Sequence, residues 1–572
     1  MPVIPKRGRS TLEQRVRDAI TTGQVVDLEV EVPERNNVET GATWGPERSI
    51  RGELLSELLT EGGGPAVRPA RVLRLQGARI TGKLDLEAVT VRCPVSLQGC
   101  YFDEEVILKE ADVVALRLSG CHLPGLSAQQ IKVSRNLELN RLKPNCRFTV
   151  EGKVDLKGAH VRGRLDFGGA ILRNPHKQAL AAEGLIVDQD MFCAEGFETY
   201  GEIRLEGARI GGWLNFGGAT LCNPSGLALA GDLLTVSQAM VCNDEFHAGG
   251  EVRLVAAHIG TLDFDDARLR NPCRRALIAD RVTVDDYVLC RKLRADGEIR
   301  LISAQIKGRL VFNAATLCNP GGCALYADRL TVGEDLYCQD GFHVEGTVDL
   351  SDACLGGLAD SKEAWPEHLV LDGLTYDRLT ADPPVSVRQR LRWLERSFPQ
   401  AGQTSMWERF RSLWRDPTQY SPQPYEQLAA TYRRVGRPED ARTVLIAKQR
   451  RRRRAINPLA KFWNSLLRWS VGYGYQVWKA GVWLLVLVGL GWWIFDRAHP
   501  AHLTPAKPPD QRPSFHAGLY ALDLLLPIGD LNYQGAWIAR GGTRSLWLVW
   551  ILWGWLLTTV VIAGLSGIFK RD

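Results

Sequence analysis

Apolar and polar side chains alternate over short stretches from about residue 68 to residue 358, and Gly, Asn or Asp separates one stretch from the next. This alternation is typical of short β-strands rather than of helices. The stretch GEIRLEGARIGGWLNFGGATLCNP begins at Gly201, and related stretches begin at Gly152, Gly250, Gly297 and Gly346. The chain therefore contains an internal repeat of short strands.

The repeat has a period of about 49 residues. Its anchor leucines follow one another at 49, 49, 47 and 49 residues: Leu156, Leu205, Leu254, Leu301 and Leu350. Each period has two halves of about two dozen residues, and strand pairs of this size bury their apolar side only by stacking on neighbours. The pattern predicts a β-solenoid over residues 68–358 with about two coils per period. The L-x-x-L-x-L-x-x-N frame of leucine-rich repeats is absent.

Small residues and the short-strand rhythm of L-x-G-A-x-I-x-G-x-L-x-F resemble the four-sided β-helix of pentapeptide-repeat proteins. The coils here are longer than four pentapeptides, so the resemblance lies in the residue types and the short strands and not in the length of the coil. It implies a mostly β fold with a right-handed, pentapeptide-repeat-like solenoid.

The thirteen cysteines contain no C-x-x-C pair, and four of them recur in the repeat: Cys193, Cys242, Cys290 and Cys338. Equivalent positions two coils apart would lie roughly 10 Å from each other, which is too far for a disulfide bond. We expect small apolar fillers of a narrow core; a redox or metal role is the alternative. We expect no cofactor.

Helical patterns flank the repeat on both sides. STLEQRVRDAI and RSIRGELLSELLTEGGG predict an N-terminal helical cap over residues 1–67. A helical neck is predicted over residues 359–456, where PYEQLAATYRRVGRPEDARTVLIAKQ resembles one tetratricopeptide helix pair. A single pair lacks stacked neighbours, which favours a structural spacer over a binding platform.

The net charge of +6 combines a mildly acidic repeat with a basic neck. The neck ends in a run of five arginines: Arg450, Arg451, Arg452, Arg453 and Arg454. Aromatic residues follow directly, and basic and aromatic side chains together are typical of a membrane interface. We therefore expect this run to contact lipid headgroups and not nucleic acid.

Two uncharged stretches in the membrane domain predicted over residues 457–572 are candidate membrane-spanning helices, at about 478–496 and 545–569. The arginine run before the first and Lys570-Arg571 after the second fit the positive-inside rule. The N-terminal sequence predicts no signal peptide. These features predict a two-pass protein of the plasma or inner membrane with both termini and the solenoid in the cytoplasm, where cysteines stay reduced.

The string Val471-Gly472-Tyr473-Gly474 resembles a potassium-channel filter, but it precedes the first predicted span instead of lying between the two. Between them, an apolar segment at about 515–530 ends in Pro527, Ile528, Gly529 and Asp530. The order of span, half-helix, turn and span resembles the pore domain of two-span ion channels, although PIGDL replaces the channel motif and Asp523 interrupts the half-helix. The alternative is an amphipathic helix that lies on the outer leaflet.

The complete layout resembles that of large actinobacterial membrane proteins that carry the label "membrane-associated oxidoreductase". No dinucleotide, haem or flavin motif in the sequence supports that activity. We expect a membrane-anchored scaffold without catalytic activity whose solenoid binds a protein partner. The alternatives are an oligomeric two-span ion channel, a tetramer by analogy, gated by the solenoid, and a membrane-associated oxidoreductase.

Overall fold

A computed structural model describes residues 11–60, 72–397, 421–454, 478–500, 503–508, 513–526, 531–539, 547–555 and 558. The chain divides into two compact units, Met1–Gln400 and Ala401–Asp572. The first unit is mostly β, and the described elements of the second unit are mainly helices.

The first unit is a parallel β-solenoid of about 13 turns. Its strands form two long parallel sheets of 23 and 17 strands. The first sheet contains Val25–Asp27, Leu73–Gln76, Thr90–Val91, Val95–Gln98, Asp112–Val113, Leu116–Arg117, Lys132–Val133, Leu137–Glu138, His160–Val161, Leu165–Asp166, Ile186–Val187, Met191–Phe192, Arg209–Ile210, Leu214–Asn215, Thr235–Val241, His258–Asp263, Thr283–Val284, Val288–Leu289, Gln305–Ile306, Leu310–Val311, Thr331–Cys338, Cys354–Asp360 and Thr375–Ala381. The second contains Ser49–Arg51, Arg79–Thr81, Tyr101–Phe102, Val106–Ile107, His122–Leu123, Leu126–Ser127, Thr149–Val150, Val154–Asp155, Ile171–Ala181, Glu198–Arg204, Thr220–Ala230, His247–Arg253, Arg268–Ile278, Arg294–Arg300, Thr316–Tyr326, His343–Asp349 and His368–Val370.

The strand register explains the 49-residue period. His160 pairs with Ile186, Ile186 with Arg209, and Arg209 with Thr235. Successive coils thus advance the chain by 26, 23 and 26 residues, and a longer and a shorter coil together make one period. The strand register therefore confirms the prediction of two coils per period.

The interior of the solenoid is a continuous stack of buried apolar side chains. The anchor leucines are at most 4% exposed. Phenylalanines add tilted ring pairs, such as Phe167 with Phe197 at 6.0 Å and Phe312 with Phe342 at 5.9 Å between centroids. The recurrent cysteines Cys193, Cys242, Cys290 and Cys338 are also buried, which confirms the prediction that they lie inside the core.

The start of the solenoid contains short strands as well as helices. Helix α1 spans Thr11–Thr22 and helix α2 spans Gly52–Thr60, where the sequence pattern predicts helices. Short 3-10 helices lie at Pro33–Asn36 and Val38–Thr43. The strands Val25–Asp27 and Ser49–Arg51 pair with the next coil, so the segment also supplies part of the first rung.

At the other end, parallel strands continue past the predicted limit at residue 358, and the last one ends at Ala381. Helix α3, Val387–Glu395, follows and begins with a capping box between Ser386 and Gln389. The carboxylate of Asp360 is fully buried and accepts hydrogen bonds from both terminal guanidinium nitrogens of Arg390 and from the indole of Trp365. This buried ion pair ties α3 to the last coils.

The second unit begins with a helical hairpin, α4 (Gln423–Arg434) and α5 (Pro438–Arg454). The apolar faces predicted for this pair are buried, with Leu428 and Val444 both 0% exposed. An ion pair between Lys448 and Glu426 joins the two helices. Short loops and complementary faces of this kind are typical of antiparallel helix pairs.

Farther along, α6 spans Trp478–Ala498, α7 spans Ala517–Leu525, and residues 547–555 form a helix that we call α8. An antiparallel strand pair joins Leu503–Pro505 to Trp537–Ala539. Phe495 is the centre of the core here, because its ring centroid lies 5.1 Å from that of Tyr520 and 5.8 Å from that of Trp550.

No helix within the described parts of the chain is both long and apolar enough to cross a membrane. The prediction of two transmembrane helices is therefore not supported there. Helix α6 carries the charged residues Asp496 and Arg497 in its last turn, which limits its apolar part at that end. Much of the second predicted span, 545–569, lies outside the described residues, as does the string at 471–474.

Candidate functional site

Four loops project from the second sheet at the repeated Asn-Pro dipeptides. They lie within 11-residue strands, and we name them ridge 1 (174–178), ridge 2 (223–227), ridge 3 (271–275) and ridge 4 (319–323). In each ridge the asparagine side chain donates a hydrogen bond to the carbonyl four residues later, at 2.7 to 2.8 Å. The recurrent Asn-Pro is thus a self-closing loop that repeats every second coil.

A shorter coil crosses the base of each ridge, and there a glycine recurs. Gly250 has a φ of +139°, and a Cβ atom on it would lie 2.5 Å from the carbonyl oxygen of Asn223 and 2.9 Å from that of Gly226. Only glycine tolerates both the backbone angle and this close approach. The same geometry recurs at Gly201, Gly297 and Gly346. The G-E/T-I/V motif of the repeat therefore marks where a coil passes beneath a ridge.

The residue before each of these glycines lies on the coil next to a ridge, and its identity changes along the solenoid. The first three of these residues form the floors of the three grooves between successive ridges. The strand register runs in the order Arg173, Tyr200, Cys222, Gly249, Arg270, Asp296, Cys318 and Glu345. The three floor positions are therefore Tyr200, Gly249 and Asp296, and Glu345 is the equivalent residue on the coil after ridge 4. Only at Gly249 does the floor lack a side chain.

A cleft of about 510 Å³ lies over Gly249, between ridges 2 and 3. Pro224 and Pro272 form walls on its two sides, and Arg270 and Arg274 line it on the ridge 3 side. Both arginines are exposed. Among the residues that the structure describes, neither forms an ion pair with a carboxylate. The cleft therefore combines apolar walls with two positive charges that are not neutralised within 4 Å.

His247 also lines the cleft. Burial lowers the pKa of its imidazole, and the nearby charges of Arg268 and Arg270 lower the pKa further. The imidazole is thus neutral near pH 7, and the positive charge of the cleft comes from its arginines. Arg268 itself is partly neutralised by Glu245, at 3.6 Å. The free thiol of Cys222 lines the cleft as well. With its two arginines the site can bind an anion.

The sequence-predicted site residues lie in the second unit. Arg450–Arg454 form the last five residues of α5; Arg450 is exposed and Arg451 is half-buried. The candidate pore loop, Pro527, Ile528, Gly529 and Asp530, lies outside the described residues.

The residues around the candidate pore loop form a compact arrangement. Asp523 of α7 is buried, and its carboxylate accepts hydrogen bonds from the backbone amides of Leu531, Tyr533 and Gln534 at 2.7, 3.0 and 2.8 Å. The charge that interrupts the apolar half-helix thus anchors the chain that follows the loop. A carboxylate with three amide donors is a strong local constraint on the backbone.

Helix α7 packs closely against both of its neighbours. A Cβ atom on Gly491 of α6 would lie 2.6 Å from the Cβ of Ala521 and 2.8 Å from the indole nitrogen of Trp550. A Cβ atom on Gly554 of α8 would lie 2.6 Å from the carbonyl oxygen of Leu525. Both glycines allow close helix packing, and α7 contacts the helix before it and the helix after it.

Comparisons of the chain with protein-family models, curated proteins and solved structures find no match. No group of three or more His, Cys, Asp or Glu side chains in the described residues could hold a metal ion. The ridges, the cleft and the second unit therefore carry the functional argument by themselves.

The cleft was not among the residues predicted from the sequence. Its signal was nevertheless present, because an alignment of the repeats places Gly249 where the other copies have Tyr200, Asp296 and Glu345. A small residue at one copy of a position that is otherwise large predicts a local gap on the surface. Only the register showed that this position lies between two projecting loops.

Proposed function

We propose that this protein is a membrane-anchored scaffold whose ridged solenoid face binds a protein partner. The observation that carries the proposal is the set of four stacked ridges, with an open cleft between ridges 2 and 3. Regular solenoid surfaces are common platforms for protein recognition. We also propose that the coils of the solenoid are right-handed and resemble those of pentapeptide-repeat proteins.

Membrane attachment is proposed from the second unit. Large apolar side chains of α6 and α8 are exposed, including Leu485 at 74%, Trp492 at 61% and Leu552 at 67%. Exposed apolar surfaces of this extent are typical of interaction with lipid or with another protein. We assign Arg450–Arg454 to anionic lipid headgroups, where each arginine would contribute about 1 kcal/mol. The proposed location is the plasma or inner membrane, with the solenoid in the cytoplasm.

A photo-crosslinking experiment tests the scaffold proposal. A crosslinking amino acid replaces Cys273 at the exposed tip of ridge 3 in the full-length protein in its native cells. The control places it at Arg209, an exposed position on the first sheet. We expect a discrete crosslinked partner from position 273 alone. No adduct, or the same adducts from both positions, would contradict a partner-binding ridge face.

An oligomeric ion channel is the second candidate, and the close packing of α7 between α6 and α8 favours it. The solenoid would then gate the pore, and the exposed apolar faces would contact neighbouring subunits. Ion flux into proteoliposomes that depends on Asp530, measured with an Asp530→Ala control, would support a channel. A strictly monomeric detergent-solubilised protein would exclude it.

We assign no reaction to this chain. An oxidoreductase would bind a chromophoric cofactor such as flavin, haem or an iron–sulfur cluster. The absorption spectrum of the protein purified from its native membrane distinguishes a scaffold from an oxidoreductase. A scaffold would show only the absorption of its aromatic residues, whereas a band in the visible range would support an oxidoreductase.

A further inference from the structure

The cleft over Gly249 has the width of one extended peptide. Adjacent coils of a parallel β stack are about 4.8 Å apart, so ridges two coils apart are separated by about 10 Å. An α-helix with its side chains is roughly 10–12 Å across and would not fit between the ridges. The volume of about 510 Å³ exceeds the needs of a small inorganic ion and lies within the range of peptide and ligand pockets.

The charge of the cleft selects the chemistry of the peptide. Arg270 and Arg274 line one side, and the guanidinium group binds carboxylates through paired hydrogen bonds. The neighbouring groove differs, because Asp296 occupies the floor position there and places a negative charge beside ridge 3. The groove with Tyr200 has an aromatic side chain on its floor, and the groove with Asp296 is acidic. Gly249 is therefore the one floor position of the three that has no side chain and has two arginines beside it. Arg270 is the strand neighbour of Asp296, but neither arginine forms an ion pair with a described carboxylate.

We propose that the cleft between ridges 2 and 3 binds an extended acidic segment of a partner protein. Carboxylates of the segment pair with Arg270 and Arg274, and its backbone lies over Gly249 between Pro224 and Pro272. This inference rests on the proposed scaffold function and names the chemistry of the partner.

The test measures binding of a fluorescein-labelled (Glu-Gly)₅ peptide to the purified full-length protein by fluorescence anisotropy, with (Gln-Gly)₅ as the neutral probe. Gly249→Tyr fills the floor in the way that Tyr200 fills its own groove. A side chain is allowed here, because the nearest atoms to a Cβ on Gly249 are 3.7 and 3.8 Å away. We expect Gly249→Tyr to abolish binding and Gly249→Ala to change affinity less than twofold.

Paired arginine variants separate a specific site from general attraction. Arg270→Gln/Arg274→Gln is expected to weaken binding of the acidic peptide at least tenfold. The control, Arg135→Gln/Arg162→Gln, removes the same charge from a different cleft of about 310 Å³ and should change affinity less than twofold. Far-ultraviolet circular dichroism confirms that each variant is folded.

Three results would overturn the proposal. The first is that both arginine double variants weaken binding of the acidic peptide equally, and the second is that Gly249→Tyr binds the peptide as the parent does. The third is full displacement of the peptide by inorganic phosphate at constant ionic strength, which would indicate a phosphate site. Crosslinking from position 273 separates this inference from the scaffold function. A partner that still crosslinks in Gly249→Tyr refutes only the cleft assignment, whereas peptide binding without any crosslinked partner refutes only the scaffold.

Discussion

At the scale of single residues, two adjacent glycines face opposite constraints. Gly250 has a positive φ and lies beneath ridge 2, whereas a Cβ atom on Gly249 would meet its nearest neighbours only at ordinary contact distances and would face the cleft. We expect Gly250→Ala to destabilise the folded protein by about 1–3 kcal/mol, because a strained backbone angle and a clash with two carbonyl oxygens coincide. Gly249→Ala should stay within about 0.5 kcal/mol of the parent. Thermal unfolding followed by circular dichroism compares the two.

Equal unfolding temperatures for the two alanine variants would show that the coil can move away from the ridge. A lower unfolding temperature for Gly250→Ala than for Gly249→Ala would indicate that the backbone at Gly250 requires glycine. The same requirement would then apply to Gly201, Gly297 and Gly346, which have the same geometry. The glycine pattern of the repeat would then be explained by ridge packing and not by flexibility.

The buried cysteines should make the stability of the folded protein depend on pH. Burial raises the pKa of the thiols of Cys193, Cys242, Cys290 and Cys338 well above the ordinary value of 9.0. The folded state therefore keeps protons that the unfolded chain loses, and the stability from these thiols is complete below about pH 9 and declines as pH rises above it. We expect iodoacetamide to modify exposed Cys273 and Cys354 at pH 8 while these four stay protected, as peptide mass spectrometry would detect.

Complete modification in concentrated urea is the control for reactivity. Labelling of the four core cysteines in the folded protein at pH 8 would contradict a closed core. Protection at pH 8 followed by simultaneous labelling and unfolding near pH 10 would instead agree with the raised pKa values.

At the scale of elements, a buried ion pair contributes to the attachment of α3, beside the contacts of Trp393 and Arg396 with Trp365. Among the described residues, Arg390→Met would leave the buried carboxylate of Asp360 with the indole of Trp365 as its one side-chain partner. Removal of one partner from a buried pair destabilises proteins by about 3–5 kcal/mol. We expect faster hydrogen exchange in the strands Cys354–Asp360 and Thr375–Ala381, measured by mass spectrometry, because the end of the solenoid opens locally.

The double variant Asp360→Leu/Arg390→Met is the matched control, since replacing both charges by apolar groups is often nearly neutral. Exchange in the double variant that stays as fast as in Arg390→Met would mean that the ion pair is not the cause. Slow exchange in both variants would show that α3 is held by its apolar contacts alone.

Most of the elements could be predicted from the sequence, and the failures have physical causes. The helices α4 and α5 follow from their apolar faces, and the coils follow from the leucine spacing. The strands Val25–Asp27 and Ser49–Arg51 could not be predicted, because three residues carry too little alternation and their pairing partners are distant in sequence. Asp523 illustrates the same limit: its amide partners follow eight to eleven residues later in the chain.

At the scale of the whole molecule, a repeat is easier to predict than a site. The average copy determines the fold, so the spacing of leucines and glycines suffices for the solenoid. The candidate site depends on where one copy departs from the average, and on which departures become neighbours after folding. Gly249 and Arg270 lie side by side only because their strands are paired, at a separation of 21 residues that no local pattern reveals.

We expect the exposed apolar faces of the second unit to attach the protein to the membrane. If α6 and α8 face lipid, a lysine at an exposed position would be unfavourable by about 2.5–3.5 kcal/mol at the centre of a bilayer. We expect the parent protein to remain in membranes after alkaline carbonate extraction, and Leu485→Lys/Leu552→Lys to be released. The control Leu233→Lys/Val435→Lys changes two positions that are each 66% exposed but lie in the solenoid and the helical hairpin. Release of the control as well, or of the parent itself, would contradict a lipid-facing second unit and leave subunit contact as the role of these apolar faces.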